Sequence, residues 1–334
     1  MASRRFFQIS IRTLFIVTTL VAIGLAYFNR IRQRVEEQKA ATARIAALGG
    51  KATVKPMSYV WPSFRKAVGE EYFKEVVAVD LENTLVTDAD LEVVGRLRDM
   101  KSLVLSGLPV SERSGYMGPF LPQNPNLVSS QVSSKGIRGL GPQHKLQDVR
   151  LAHVPINDEA MDTVSSWTQL QILDLERTRV TSKGVQRLEN LKHLKSLNLA
   201  GTNIDDSVVP ALSQMRSLQQ LDLSDTAVTG EGLLQLRNEL PACKLSGSLL
   251  DFSDGIDPDP QSMRWKEITR PMWALSRRGQ LKFLCLADTA ATDAHLEDLD
   301  RLKNVEVIDL RRTKVTDAGI ESLRRALPKC KIVR

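Results

Sequence analysis

Cysteine and histidine are scarce, and each shortage removes a class of function. Cys243, Cys285 and Cys330 form no C-x-x-C pair. None of His144, His153, His193 and His295 stands at metal-ligand spacing, so no zinc site is expected. An odd cysteine count argues against a disulfide framework. Cys243 and Cys330 read instead as small buried residues. The histidines pair with no consistent Ser or Cys nucleophile. There is no P-loop, no G-x-S-x-G and no H-E-x-x-H. Asp251, Asp254, Asp257 and Asp259 suggest calcium, but they lack D-x-[DN]-x-[DN]-G spacing. Ser262 also stands where a calcium loop wants Glu. No enzyme, metal or cofactor is therefore expected.

An excess of one charge is also missing over most of the chain. Residues 1–75 hold 13 Lys/Arg against 5 Asp/Glu, whereas the remainder holds 33 against 34. The basic pI belongs to the N-terminal segment, and a nucleic-acid partner is not expected.

What the chain has is a period. Segments beginning at Leu170, Leu194 and Leu218 are 24 residues apart, and each carries L-x-x-L-x-L-x-x-T-x-[VI]-[TD]. A fixed period of this size means a solenoid. Leu173 and Leu175 alternate about Asp174, which predicts a short strand with one buried face. Val180, Val185 and Leu188 suit the apolar side of a returning helix. One such unit cannot bury its apolar face alone, and parallel stacking makes a continuous core. Thr178, Thr202 and Thr226 can bond nearby backbone as the chain leaves the strand. Thr181, Asp205 and Thr229 stand where a side-chain oxygen caps a helix. Asp88, Asp158, Asp293 and Asp317 fall in first turns, where negative charge suits the helix dipole.

The pattern L-x-x-L-x-L-x-x-T-x-V-T-D-x-G-[LI] resembles leucine-rich repeats of the Thr-Asp-x-Gly subtype, over most of residues 76–334. That subtype is found in many bacterial proteins and is similar to the repeats of F-box/leucine-rich-repeat proteins. No F-box precedes it here, so a ubiquitin-ligase role does not carry over. The resemblance implies an α/β leucine-rich-repeat solenoid with parallel β-strands on the concave face and helices on the convex face.

The organisation along the chain follows. Residues 1–28 form a transmembrane anchor or signal-anchor: Thr13–Phe28 is a run without charge, extended from Phe6 with only Arg12 interrupting. A cleaved signal peptide with a small-x-small site at Gly24–Ala26 is the alternative. Counting Lys/Arg favours a cytoplasmic repeat domain, whereas the signal-like start favours export, the side expected here. Residues 29–50 predict a juxtamembrane helix, either touching anionic lipid through its basic start or standing as a solvated spacer. Residues 51–75 predict an N-terminal cap. Repeats fill 76–245 with a loop inserted at 111–131. An insert follows at 246–280, then repeats and a C-terminal cap at 281–334. LPACKL (240–245) matches LPKCKI (327–332), which suggests that the array has an internal end; continuity of the sheet across it stays open.

The outward strand positions predict a concave ladder of Asp80, Val104, Arg150, Asp174, Asn198, Asp222, Cys285 and Asp309. Asp174, Asn198 and Asp222 would form a contiguous polar stripe flanked by Arg177, Asp225 and Arg311. Trp265 and Trp273 in the insert are further candidates, as aromatic anchors often are; packing the insert onto the solenoid is the alternative. The expected function is a membrane-anchored protein-binding scaffold, with membrane contact through residues 6–28 and a protein partner. The alternative is a structural envelope module self-associating through the array edge or the 246–280 insert.

Overall fold

A computed structural model of the chain describes residues 11–57, 63, 65–66, 69–106, 131–247, 249–251 and 272–334. It begins with α1 (Ile11–Ala47), a helix of 37 residues that passes residue 28 without a break. Phe15, Ile16, Leu20, Ile23 and Leu25 are each more than half exposed. The second half of the helix behaves differently. Val35, Ala41 and Ile45 are buried and Leu48 packs against the same core. Steps of four and three residues keep Ala41, Ile45 and Leu48 on one face. Arg34 pairs with Asp99 and Glu75, and Arg44 pairs with Asp90. Residues 29–48 are therefore no free spacer; they cover the open end of the first repeat. Gly49 ends the helix at φ 82°, a left-handed conformation that suits glycine.

β1 (Lys51–Pro56) returns antiparallel to β2 (Lys74–Asp80). From β2 onward the strands are parallel: β3 (Ser102–Val104), β4 (Asp148–Arg150), β5 (Ile172–Asp174), β6 (Ser196–Asn198), β7 (Gln220–Asp222) and β8 (Lys244–Ser246). A second sheet follows, ordered β9 (Leu249–Asp251), β10 (Phe283–Cys285), β11 (Val307–Asp309), β12 (Lys331–Val333). The returning helices are α2 (Asp88–Val94), α3 (Ser134–Leu140), α4 (Met161–Val164), α5 (Ser182–Gln186), α6 (Val209–Gln214), α7 (Gly230–Glu239), α8 (272–277), α9 (Asp293–Leu296) and α10 (Asp317–Ala326). This is a leucine-rich-repeat solenoid in two sheets. The break falls at Gly247, whose φ of 134° turns the chain sharply. A Cβ there would lie 2.8 Å from the Leu223 backbone, so only glycine fits the corner. The stretch 246–280 thus contains β9 and α8. Residues 252–271 and 107–130 lie outside the described residues, and with the latter all but the last residue of the expected loop 111–131.

The core repeats the period. Leu173, Leu197 and Leu221 sit on successive rungs and are buried, as are Leu175, Leu199 and Leu223 beside them. Full burial of one such side chain contributes about 1.5–3 kcal/mol. The threonines behave as their position predicts: Thr178, Thr202 and Thr226 donate to Leu175, Leu199 and Leu223 carbonyls at 2.8, 2.5 and 2.7 Å.

The first-turn aspartates act between repeats. Asp158 accepts from the Thr181 backbone N–H at 2.8 Å and the Thr181 hydroxyl at 2.6 Å, in the next repeat. Asp88 holds Ser133, Asp206 holds Thr229 and Asp293 holds Thr316 in the same way. The partner glycine makes room for this clamp. A Cβ on Gly136, Gly184, Gly232 or Gly319 would lie 2.3 Å from the aspartate oxygen of the repeat before. Where serine replaces the aspartate, Ser182 donates to Asp205 at 2.8 Å and accepts from its N–H at 3.0 Å. Each of these aspartates, with the threonine or serine and the glycine of the next repeat, thus fastens its convex turn to the following one, in addition to any dipole effect.

Candidate functional site

The concave face of the first array is built by strand register. Arg150, Asp174, Asn198, Asp222 and Ser246 are consecutive Cα partners, so they form one row across β4 to β8. Neighbouring strands lie about 4.8 Å apart. Asp174, Asn198 and Asp222 are each partly exposed. Each uses one side-chain oxygen to accept from the backbone N–H two residues on, at 3.0, 3.0 and 2.9 Å. This local turn ends the strand and leaves the rest of each polar group facing the hollow. Burial is the largest influence on Asp174 and pushes its carboxyl above the usual range, Glu176 adds to that, and the Glu176 N–H and Arg150 oppose it. A groove of about 300 Å³ lies between β6, β7 and β8, lined by Ser196, Asn198, Gln220, Asp222, Lys244 and Ser246.

Arg177 and Asp225 flank this row on the exposed turn after the strand. Both occupy positive φ, 51° and 53°, where Gly201 stands in the intervening repeat. Asn83, His153, Asp288 and Arg312 hold the equivalent turn elsewhere. The turn conformation aims these side chains outward, and it is uncommon for residues other than Gly, Asn and Asp. Asn198 donates to Glu176 at 3.4 Å, joining the row to the rim.

The second array departs from the expected ladder. Cys285 and Asp309 are fully buried, not exposed on a concave face. The reason is that α7, the last helix of the first array, fills the hollow of the second. Phe283, Cys285 and Val307 belong to the first array's core, whereas Leu284 and Ile308 on the opposite strand face belong to the second array's core. Gly230 at the start of α7 lies so close that a Cβ would stand 2.9 Å from the Lys282 carbonyl and 3.0 Å from Val307. Polar contacts seal the rim. The Lys282 ammonium donates to the Thr226 and Val228 carbonyls at 3.0 and 2.7 Å, and Gly230 N–H donates to Glu306 at 2.7 Å. Lys331 pairs with Glu231. Arg311 holds buried Asp309 at 2.6 Å and reaches Asn238 of α7 at 3.1 Å. It belongs to this internal joint and lies apart from the Asp174 row. Trp273 packs against the second core, donates to the Asp298 carbonyl at 3.1 Å and carries the Arg301 guanidinium 4.5 Å from its ring centre. Trp265 lies outside the described residues.

The structure therefore brings together Asp174, Asn198, Asp222, Arg177 and Asp225, and separates Arg311 and Trp273 from them. Lys244, Ser246, Ser196 and Gln220 complete the groove and were not singled out from sequence; their positions in the period were the available signal. Among the described residues no group of three or more His, Cys, Asp or Glu is placed to hold a metal ion.

The fold and this open hollow define a leucine-rich-repeat scaffold. A family model described as leucine rich repeat matches residues 168–228. Comparison with curated proteins gave no match. Among solved structures the chain is similar to an internalin (inlF) from Listeria monocytogenes, at 15% identity and TM-score 0.30, over 72% of this chain and 69% of that one. It is also similar to internalin C2 of the same organism, at 16% identity and TM-score 0.35, over 82% and 92% of the two chains. The ectodomain of the Arabidopsis receptor kinase HAESA, solved with a peptide hormone, matches at 16% identity and TM-score 0.34. That match covers 72% of this chain and 35% of the receptor's.

Proposed function

We propose that this chain is a membrane-anchored scaffold that binds a protein partner in the hollow of its first array, without chemistry of its own. The supporting observation is that one hollow is open and polar while the other is filled by α7. The partner would meet Asp174, Asn198, Asp222 and the Lys244 groove, with Arg177 and Asp225 on the rim. The anchor is the apolar part of α1: a window within Phe15–Ala47 is long and apolar enough to cross a bilayer and has no side chain buried in the fold. Apolar residues exposed in this way need a non-aqueous partner. The repeats stand on the non-cytoplasmic side in this reading.

The test is site-specific photo-crosslinking in intact cells from Gln220, against Glu321 on the convex surface. A discrete heterologous product from Gln220, lost when Asp174, Asn198 and Asp222 are changed to Lys, supports the scaffold. A product of twice the chain mass would favour self-association instead. Digestion of the repeats before lysis, once an outer barrier is permeabilised, supports export; protection until lysis places them in the cytoplasm. Resistance to alkaline carbonate extraction tests the anchor.

A further inference from the structure

The near-zero charge of the repeat region conceals a separation. The segments leading into β3 to β8 (95–101, 141–147, 165–171, 189–195, 213–219 and 240–244) carry eight Lys/Arg and two carboxylates. All eight cations are exposed. The segments leaving β2, β4, β5, β6 and β7 (81–90, 151–160, 175–184, 199–208 and 223–232) carry ten carboxylates and three Lys/Arg. Because the strands are parallel and in register, the first set lines one rim of the solenoid and the second set lines the other. One rim is basic and the other acidic.

The direction of α1 says which rim faces a membrane. Phe28 meets Tyr72, just before β2, with ring centres 5.9 Å apart. Arg34 reaches Glu75 near the start of β2 at 3.5 Å. Ile45 lies by Gly50 and Leu81, just past its end. The helix therefore runs alongside β2 in the same direction, and its apolar end projects past the basic rim. At 1.5 Å per residue, Phe15 to Phe28 extends about 20 Å beyond that contact. Two grooves open at the junction. One of about 510 Å³ is lined by Tyr27, Arg30, Arg34, Arg96 and Arg98 among others. The second, of about 710 Å³, includes Lys55, Lys101, His144 and Lys145. They share Arg34 and Asp99; Asp99 is already taken by Arg34 and Lys145, Glu75 in the second groove is taken by Arg34, and Glu37 stands in the first.

We propose that the basic rim of the first array rests on the anionic headgroups of the bilayer that α1 enters, with the two grooves at the helix base receiving lipid phosphates. The contact orients the solenoid, so that its hollow opens sideways along the membrane and its acidic rim faces away. The proposal rests on α1 being a membrane span. Clustered Lys/Arg beside a span are attracted to anionic lipid and the attraction fades within a Debye length, about 8 Å at physiological salt.

The test uses the full chain reconstituted in vesicles of phosphatidylcholine alone or with roughly one-third phosphatidylglycerol. With Cys330 replaced by Ala, single probes are placed by Gln169→Cys on the basic rim and Asn203→Cys on the acidic rim. Their quenching by a lipid carrying a nickel-chelating headgroup is compared. The expected result is strong quenching at 169 and weak quenching at 203, only with phosphatidylglycerol. The 169 signal should fall roughly tenfold on R96E/R98E/K101E, or in 1 M salt where the Debye length is about 3 Å. The salt arm needs no variant and stands even if the triple reversal misfolds. Equal quenching at the two rims, or quenching indifferent to phosphatidylglycerol and salt, in a chain that resists carbonate extraction overturns the rim contact and leaves the anchor standing. Extraction by carbonate overturns the anchor. The rim is then judged by flotation of the unmodified chain with phosphatidylglycerol vesicles: salt-sensitive flotation retains the headgroup contact, and absence of flotation overturns it.

Discussion

The two arrays share one repeat and put its concave face to opposite uses. In the first, the leading strand positions are Ser102, Asp148, Ile172, Ser196, Gln220 and Lys244, and the hollow meets water. In the second, the same position is Phe283 and Val307, both fully buried. A hollow lined by Phe and Val is a socket, and α7 fills it. The second array thereby closes the C-terminal end of the first, as α1 closes the N-terminal end. Solenoids need such covers because each unit contacts only its neighbours. The difference between an open hollow and a joint rests on a few side chains per rung.

The largest effect should come from breaking the joint. Phe283→Ala removes a large buried side chain shared between the arrays and should cost about 3–5 kcal/mol. Chemical denaturation measures this. Hydrogen exchange should show lost protection in α7 together with β10, whereas Asp222→Ala in the open hollow should change stability by less than about 1 kcal/mol. If the two variants are alike, the second hollow is not a joint.

The clamp between convex turns comes next. Gly→Ala within a helix ordinarily stabilises by up to about 1 kcal/mol. Gly184→Ala should do the opposite, because the new Cβ would lie 2.3 Å from the Asp158 oxygen. Asp158→Ala leaves the Thr181 N–H and hydroxyl without their acceptor and should cost about 1–3 kcal/mol. The double variant should cost less than the sum, since the smaller residue at 158 relieves the clash. A shift in the thermal midpoint of each variant gives the comparison. Full additivity would show that the glycine serves some other purpose.

These particulars show how far the sequence could be read. The 24-residue period announces the solenoid because identical units must bury identical faces. The row Asp174, Asn198, Asp222 follows from the period alone, since register in a parallel array is fixed by repeat length. The filled hollow was also written down: LKFLCLAD runs apolar where LQILDL and LQQLDL alternate, and an unbroken apolar run marks a strand buried on both faces. What covers it was not legible, because contact between α7 and β10 depends on the turn at Gly247. The role of the aspartates was hidden for a similar reason. Asp158, Asp206 and Asp293 bond 23 residues ahead and Asp88, across the inserted loop, 45 ahead, so a reading one repeat at a time assigns each to its own helix. The charged rims were masked by summing over the whole domain. Separating strand-entry from strand-exit text was enough to expose them.

Acid titration sharpens the contrast between a clamp carboxylate and a groove carboxylate. Hydrogen bonds from the Thr316 hydroxyl and N–H hold Asp293 below the usual range. A folded pKa below the unfolded one gives stability that is present above about pH 4 and lost as pH falls through the folded value. Asp174 is shifted upward, chiefly by burial, so its ionisation opposes folding once pH rises above about 4. Asp293→Asn should therefore destabilise at pH 7 and flatten the acid limb of the stability curve. Asp174→Asn should stabilise slightly at pH 7 and make no difference at pH 3. Opposite signs for the two variants at neutral pH are the expected outcome; equal signs would remove the distinction.

The smallest effect compares the two ends of the arrays. Cys243 in LPACKL and Cys330 in LPKCKI hold matching places before β8 and β12. Burial pushes both thiols up to about 11, and at Cys330 the Ile308 backbone opposes this slightly. At pH 7 the thiolate fraction is then on the order of one in ten thousand, against a few per cent for a free thiol. Alkylation by iodoacetamide at pH 7 should be slow at both. Cys330 is part-exposed at the outer end of the second array, while Cys243 is buried beneath the joint. Raising the pH toward 10 should therefore release Cys330 first. Phe283→Ala should speed labelling of Cys243 more than that of Cys330, because only the inner end is covered by the second array. Mass spectrometry of timed digests reads both rates, and equal acceleration would mean that the inner end owes no protection to the joint.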